Sequence, residues 1–174
     1  MQQHTLNREV PFSGIGVHTG KTANVRLLPA EADTGIVFRR VDLPEQPVIP
    51  AHIDFVTYAD HGTVISVGDI SVRTIEHLMV ALYGANIDNC TVEIDAEEVP
   101  ILDGSSMPFA EVFRNAGMQR QNVPVREYFI REPIYLVEGE RMIVALPAAG
   151  YSISDTISFS DPALGTQSAS FEMT

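Results

Sequence analysis

The stretch Arg73–Ala85, RTIEHLMVALYGA, changes the hydrophobic period of the chain and decides its fold class. Ile75, Leu78, Met79 and Leu82 recur at i, i+3, i+4 and i+7, the spacing of an amphipathic helix. Thr74 or Ser71 could cap it, and Gly84 and Asn86 supply stop signals. On both sides the period is that of strands. In Thr22–Leu28, Ala23, Val25 and Leu27 share one face and Asn24 and Arg26 the other. Further strands are read at Ile36–Arg40, Val64–Val67 and Asn89–Ile94, with Gly68-Asp69 as a hairpin turn. A second helix is expected over Met107–Ala116, with Phe109, Val112 and Phe113 as its stripe and Gly117 as its end.

The polar stretch Gln119–Pro124 reads as a linker, and beyond it the pattern is purely β. Arg126–Val137 gives one or two strands, Glu138-Gly139-Glu140 a turn, and Met142, Val144 and Leu146 another strand. In Ser152–Ser160, Ile153, Asp155, Ile157 and Phe159 face one way and the serines and Thr156 the other. Pro162–Thr174 has no clear pattern and reads as soft. The segment before the linker thus mixes helices with strands, and the segment after it offers strands alone. A small sheet with an apolar face has to cover it, and nothing in this tail can. It packs on the first domain, pairs with another copy, or is a piece of a longer protein.

Composition narrows the function classes. The 174 residues carry 11 Lys plus Arg and 23 Asp plus Glu, a net charge of −12. Such a surface repels a phosphate backbone, so no nucleic-acid partner is expected. A few well-placed donors can still hold a phosphorylated small molecule. Hydrophobic residues make up 45%, an ordinary globular share. No run approaches the roughly 18 apolar residues of a transmembrane segment, and MQQHTLNREVPFSG lacks the pattern of a secretory leader. Cys90 is the single cysteine, so neither an internal disulfide nor a Cys-rich zinc site can form. A cytoplasmic protein is expected.

The residues able to carry chemistry are few. Glu76 and His77 are adjacent at the start of the first helix. A helical His beside a Glu can pair a metal ligand with a general base. The pair can equally be a surface Glu and a boundary His, because a zincin motif needs a second His at i+4 and position 81 is Ala. His18 lies within the glycine-rich Ser13–Lys21, and His61 opens another loop. His4 and His52 lie elsewhere. A metal site joining His77 to His18 or His61 is an alternative that no spacing forces. The glycine-rich loop is not a Walker loop, though its amides could face a phosphate or carboxylate. Asp103-Gly104-Ser105-Ser106 reads as a turn capping the second helix. The two serines have no His at fixed spacing to activate them.

Four motifs in register carry more than any one alone: Gly14-Ile15-Gly16-Val17-His18-Thr19-Gly20, Thr74-Ile75-Glu76-His77-Leu78, Ile87-Asp88-Asn89 and Pro100-Ile101-Leu102-Asp103-Gly104-Ser105. With these the chain resembles the N-terminal part of the UDP-3-O-acyl-N-acetylglucosamine deacetylase (LpxC) family, the zinc amidohydrolases of lipid A biosynthesis. The resemblance implies two similar α+β domains, each a two-layer sheet-and-helix sandwich, with the active site between them: residues 1–120 are expected to form the first, and residues 125–174 to be the opening strands of an incomplete second. It implies UDP-3-O-acyl-N-acetylglucosamine as substrate and Zn2+ as cofactor. Glu76 becomes the general base and His77 a zinc ligand, with His18 and His61 lining the substrate cleft. The family's other two zinc ligands, a His-x-x-x-Asp, are absent from this sequence. The chain alone is therefore expected to be inactive, and its uncovered second sheet to drive self-association or local disorder after about residue 160. The alternative is a deacetylase-like binding or structural module without catalysis.

Overall fold

The computed structural model describes residues 1–59 and 61–173, Met173 by its backbone alone. In chain order the first elements are β1 (Gln2–Leu6), β2 (Val10–Ile15), β3 (Thr22–Pro29), β4 (Ile36–Arg40) and β5 (Val48–Pro50). A 3-10 turn (Ile53–Phe55), β6 (Val56–Tyr58), β7 (Val64–Val67) and β8 (Ile70–Arg73) lead into α1 (Glu76–Gly84). Then come β9 (Cys90–Ile94), α2 (Met107–Ala116) and β10 (Met118–Pro124). Four more strands follow: β11 (Ile134–Glu138), β12 (Arg141–Ala145), β13 (Tyr151–Ser158) and β14 (Thr166–Met173). The protein is mixed α+β, and it divides into two compact units, Met1–Val125 and Arg126–Thr174. Among the described residues no helix is long and apolar enough to cross a membrane.

The first unit is built on a five-stranded sheet in the order β2-β3-β9-β4-β5, antiparallel except where β4 runs parallel to β9. Register explains its two faces. Val25 opposes Ile94, Leu27 opposes Val92, and Val92 opposes Phe38, so one face is a continuous apolar layer. Its alternate positions carry Arg26, Glu93 and Arg39, and Glu93 bridges the two arginines across the outer face. Both helices bury their stripes in the same core: Leu78, Ala81 and Leu82 from α1, Phe109 and Phe113 from α2. Phe12 on β2 meets Phe109 edge to face, with ring centroids 5.4 Å apart. A three-stranded meander, β6-β7-β8, turns at Gly68-Asp69, where Gly68 supplies the positive φ of 58° that this two-residue hairpin needs.

The reading of Gln119–Pro124 as a linker is corrected. This segment is β10, paired antiparallel with β1 and lying inside the first unit. Its polar side chains mislead because one of them works in a buried network. Gln121 accepts from Asn89 Nδ2 at 2.8 Å and donates to the Ala30 carbonyl at 2.8 Å. Asn89, 1% exposed, also donates to Gln3 and accepts from the Gly35 amide, while Asp88 accepts the His4 amide. The Ile87-Asp88-Asn89 motif thus ties β1, β10 and the 30–35 loop together and is structural.

Two further expectations change. Arg73 ends β8 rather than opening the helix, and neither Thr74 nor Ser71 caps α1, whose Ncap Ile75 makes no side-chain capping bond. The segment after Pro162 is not wholly soft: β14 pairs with β13 over eight residues. In this second unit, β11–β12 and β13–β14 are separate hairpins. Hydroxyls pair across one face of the second, Ser154 with Ser170, Thr156 with Ser168 and Ser158 with Thr166. Ile153 and Phe171, opposite each other on the other face, are exposed.

Candidate active site

Only two residues, Thr74 and Ile75, separate β8 from α1. Thr74 takes a φ of 58°, a left-handed conformation uncommon for a β-branched residue, and places Glu76 and His77 in the first helical turn. The helix N-terminus favours a carboxylate there. Glu76 Oε2 accepts the Thr63 amide at 2.9 Å, which anchors one oxygen. The other, Oε1, lies near His18 Nε2 and Thr74 Oγ1 around Gly62. A Cβ on that glycine would sit 3.6, 3.5 and 3.7 Å from the three atoms. Glu76 and His77 are each half-buried and neither is sealed in the core. His77 has no side-chain hydrogen bond to a described residue.

A cavity of about 470 Å3 opens beside this point, lined by His18, Tyr58, His61, Gly62, Val64, Arg73 and Thr74. Three loops therefore converge here: the glycine-rich loop with His18, the 61–63 loop, and the turn into α1. Arg73 Nε is buried without an acceptor among the described residues. Neither Glu76 nor His77 is among the residues lining the cavity, although Glu76 Oε1 lies close to two that are, Gly62 and His18. His4 and His52 lie elsewhere, beside Asp88 and Asp54 respectively.

Glu98 is the residue that inspection of the sequence missed. It is 1% exposed yet charged. Its Oε1 accepts the His18 amide at 2.9 Å and the Thr74 hydroxyl at 3.0 Å, and its Oε2 accepts the Thr19 amide at 2.7 Å. Burial pushes the carboxyl up, but these donors, with the Thr19 hydroxyl, outweigh it and hold the group below its ordinary value. Gly16 exists for this contact, since a Cβ there would collide with the Glu98 carboxylate and come within 2.7 Å of Thr19 Oγ1. One signal was available: Glu98 leads directly into the apolar run Val99-Pro100-Ile101-Leu102, a setting where a carboxylate needs donors.

The remaining expected turn differs in detail. Asp103 does not cap α2 itself. Its Oδ1 accepts the Ser105 amide and hydroxyl, both at 2.8 Å, and Ser105 Oγ in turn accepts the Met107 amide at 3.2 Å. The Ser105 amide and hydroxyl hold the Asp103 carboxyl below its ordinary value.

A catalytic zinc normally takes three protein ligands. Among the described residues no group of three His, Cys, Asp or Glu side chains is arranged to hold a metal. The described residues thus do not fit a complete zinc centre, and among them His77 with His18 or His61 does not make one.

A protein-family model described as UDP-3-O-acyl N-acetylglycosamine deacetylase matches residues 3–174. The chain is 45% identical over 170 residues to the UDP-3-O-acyl-N-acetylglucosamine deacetylase of Geobacter sp. (strain M21), covering 98% of this chain and 56% of that relative. It is 39% identical over 176 residues to the same-named protein of Nostoc sp., covering 100% and 63%. Against the bifunctional enzyme LpxC/FabZ of Chlorobaculum tepidum it is 43% identical over 169 residues, covering 96% and 36%. The chain spans little more than half the length of the first two of these relatives.

Proposed function

This chain belongs to the UDP-3-O-acyl N-acetylglycosamine deacetylase family, and on that premise we propose that it forms part of an amidohydrolase acting on UDP-3-O-acyl-N-acetylglucosamine in lipid A biosynthesis. The observation that carries the reading is the placement of Glu76. One carboxylate oxygen is fixed by the Thr63 amide, and the other lies around Gly62 together with His18 Nε2, both residues of the cavity wall. A carboxylate held this way can take the proton of a water that adds to the acetamide carbonyl. As the C–N bond breaks, the proton held by Glu76 passes to the nitrogen, which leaves as an amine, and acetate is released. His18 and His61, on the cavity wall, make polar contacts to the sugar.

His77 supplies one ligand of a zinc ion, and the other two come from outside residues 1–174. Alone, this chain neither holds the metal firmly nor turns over substrate. Residues 1–120 are the first layered domain of the enzyme, with β10 running on to Pro124 as the rest of its edge pair, and residues 125–174 open the second. The reaction is placed in the cytoplasm, in keeping with a single, buried cysteine.

The test is Glu76→Ala in the polypeptide extended to the length of its relatives, assayed for acetate release. A loss of roughly 10²-fold or more is expected for removal of a general base. Activity near wild type would reject Glu76 as the base, and no acetate release from the unmodified extended polypeptide would return the chain to the reading of a non-catalytic module.

A further inference from the structure

Thr74 occupies a conformation for which glycine is the ordinary choice, and it stands two residues before the proposed base. Its φ of 58° is what lets β8 run straight into α1. A glycine would turn the chain with less strain, so the threonine must contribute something glycine lacks. That something is the hydroxyl, which donates to Glu98 Oε1 at 3.0 Å.

Glu98 is itself fixed from the opposite side. The amides of His18 and Thr19 hold its two oxygens, and the missing Cβ of Gly16 leaves it room. One buried carboxylate therefore fastens the His18 loop and the turn into α1 to each other. Gly62, with φ of 150°, brings the third loop against them, and its neighbour Thr63 donates to Glu76.

We propose that Glu98 and Thr74 are positioning residues for the reaction: the Glu98–Thr74 hydrogen bond sets the direction in which Glu76 leaves the first turn of α1, and the Glu98–His18 bond sets the loop facing it. Neither residue touches the reacting atoms. The inference rests on the deacetylase reading, because it assigns Glu76 as the group being positioned.

The experiment compares Thr74→Ser, Thr74→Val and Thr74→Gly, each alone and combined with Glu76→Ala, in the extended polypeptide acting on the UDP-sugar substrate. Thr74→Ser keeps the donor and should keep kcat within about twofold. Thr74→Val loses the donor at the same shape and should lower kcat about tenfold to a hundredfold, the scale of a misplacement of order 1 Å, with KM and zinc content little changed. Thr74→Gly suits the φ and also lacks the hydroxyl, so it should match Thr74→Val even if the valine variant folds poorly. On a Glu76→Ala background the valine and glycine changes should cost little more, because they act through Glu76.

Wild-type kcat in both Thr74→Val and Thr74→Gly would overturn the proposal. So would losses that multiply with that of Glu76→Ala. If Glu76→Ala itself retained full activity, Glu76 would not be the base and this proposal would fall with that role, whereas an unmodified extended polypeptide that released no acetate would overturn the deacetylase reading.

Discussion

Glu97 and Glu98 are neighbours in sequence with opposite fates, and replacing each by glutamine separates a buried hub from a surface charge. Glu98→Gln cannot satisfy the donors around it in either amide orientation. With Nε2 in place of Oε2 it faces the Thr19 amide, and in place of Oε1 it faces the His18 amide. At least one part-buried N–H loses its acceptor, at about 1–3 kcal/mol. The bonds that survive lose their charge assistance, roughly a further 1 kcal/mol. The expected cost is therefore about 2–4 kcal/mol, or a fall in Tm of roughly 10 °C for a domain of this size. Glu97 pairs with Lys21 at 3.6 Å, where both side chains are largely open to water. Glu97→Gln should cost no more than about 1 kcal/mol. Urea denaturation of the 174-residue chain measures both.

Its pH dependence has a definite sign. Glu98 has its folded value lowered below the ordinary 4.5, so its contribution is complete above that value. It is lost as pH falls through the folded value. The gap between wild type and Glu98→Gln should be full at neutral pH and close in acid. Equal stabilities for the two glutamine variants at pH 7 would refute the hub.

Phe109→Ala removes a fully buried ring and its edge contact with Phe12; a loss of about 3–5 kcal/mol is expected by chemical denaturation. The Cys90 thiol, buried and pushed up by desolvation to about 12, should resist a thiol reagent at pH 8 in the native protein and react once urea unfolds it. The exposed apolar residues of the second unit, among them Leu136, Ile143, Ile153 and Phe171, should drive self-association of the isolated chain, visible as a mass above the monomer by light scattering.

What could be read from the sequence followed from local periodicity. The stripe of Ile75, Leu78 and Leu82 and the alternation of Ala23, Val25 and Leu27 both lie against the core. So does the pair Phe109 and Phe113, because burial of an apolar face is what periodicity records. What could not be read depends on partners far along the chain. β10 looks like a linker until β1, more than a hundred residues earlier, is placed beside it and Asn89 takes up Gln121. Glu98 has no local pattern of its own, since its three donors come from residues 18, 19 and 74. Nor does composition announce that Thr74 adopts a positive φ. The adjacent Glu76 and His77 were visible as a pair. Their meaning depends on Thr63, which fixes one oxygen of the carboxylate, and on Gly62, around which the other lies close to His18.

The account stands most directly on whether His77 is one ligand of a shared zinc centre. Zinc content after dialysis, measured by elemental analysis for the 174-residue chain, for the polypeptide extended to the length of its relatives, and for the extended His77→Ala variant, tests this. The prediction is about one zinc in the extended protein, and little in the short chain or the variant. Stoichiometric zinc retained by the short chain, or by His77→Ala, would contradict it.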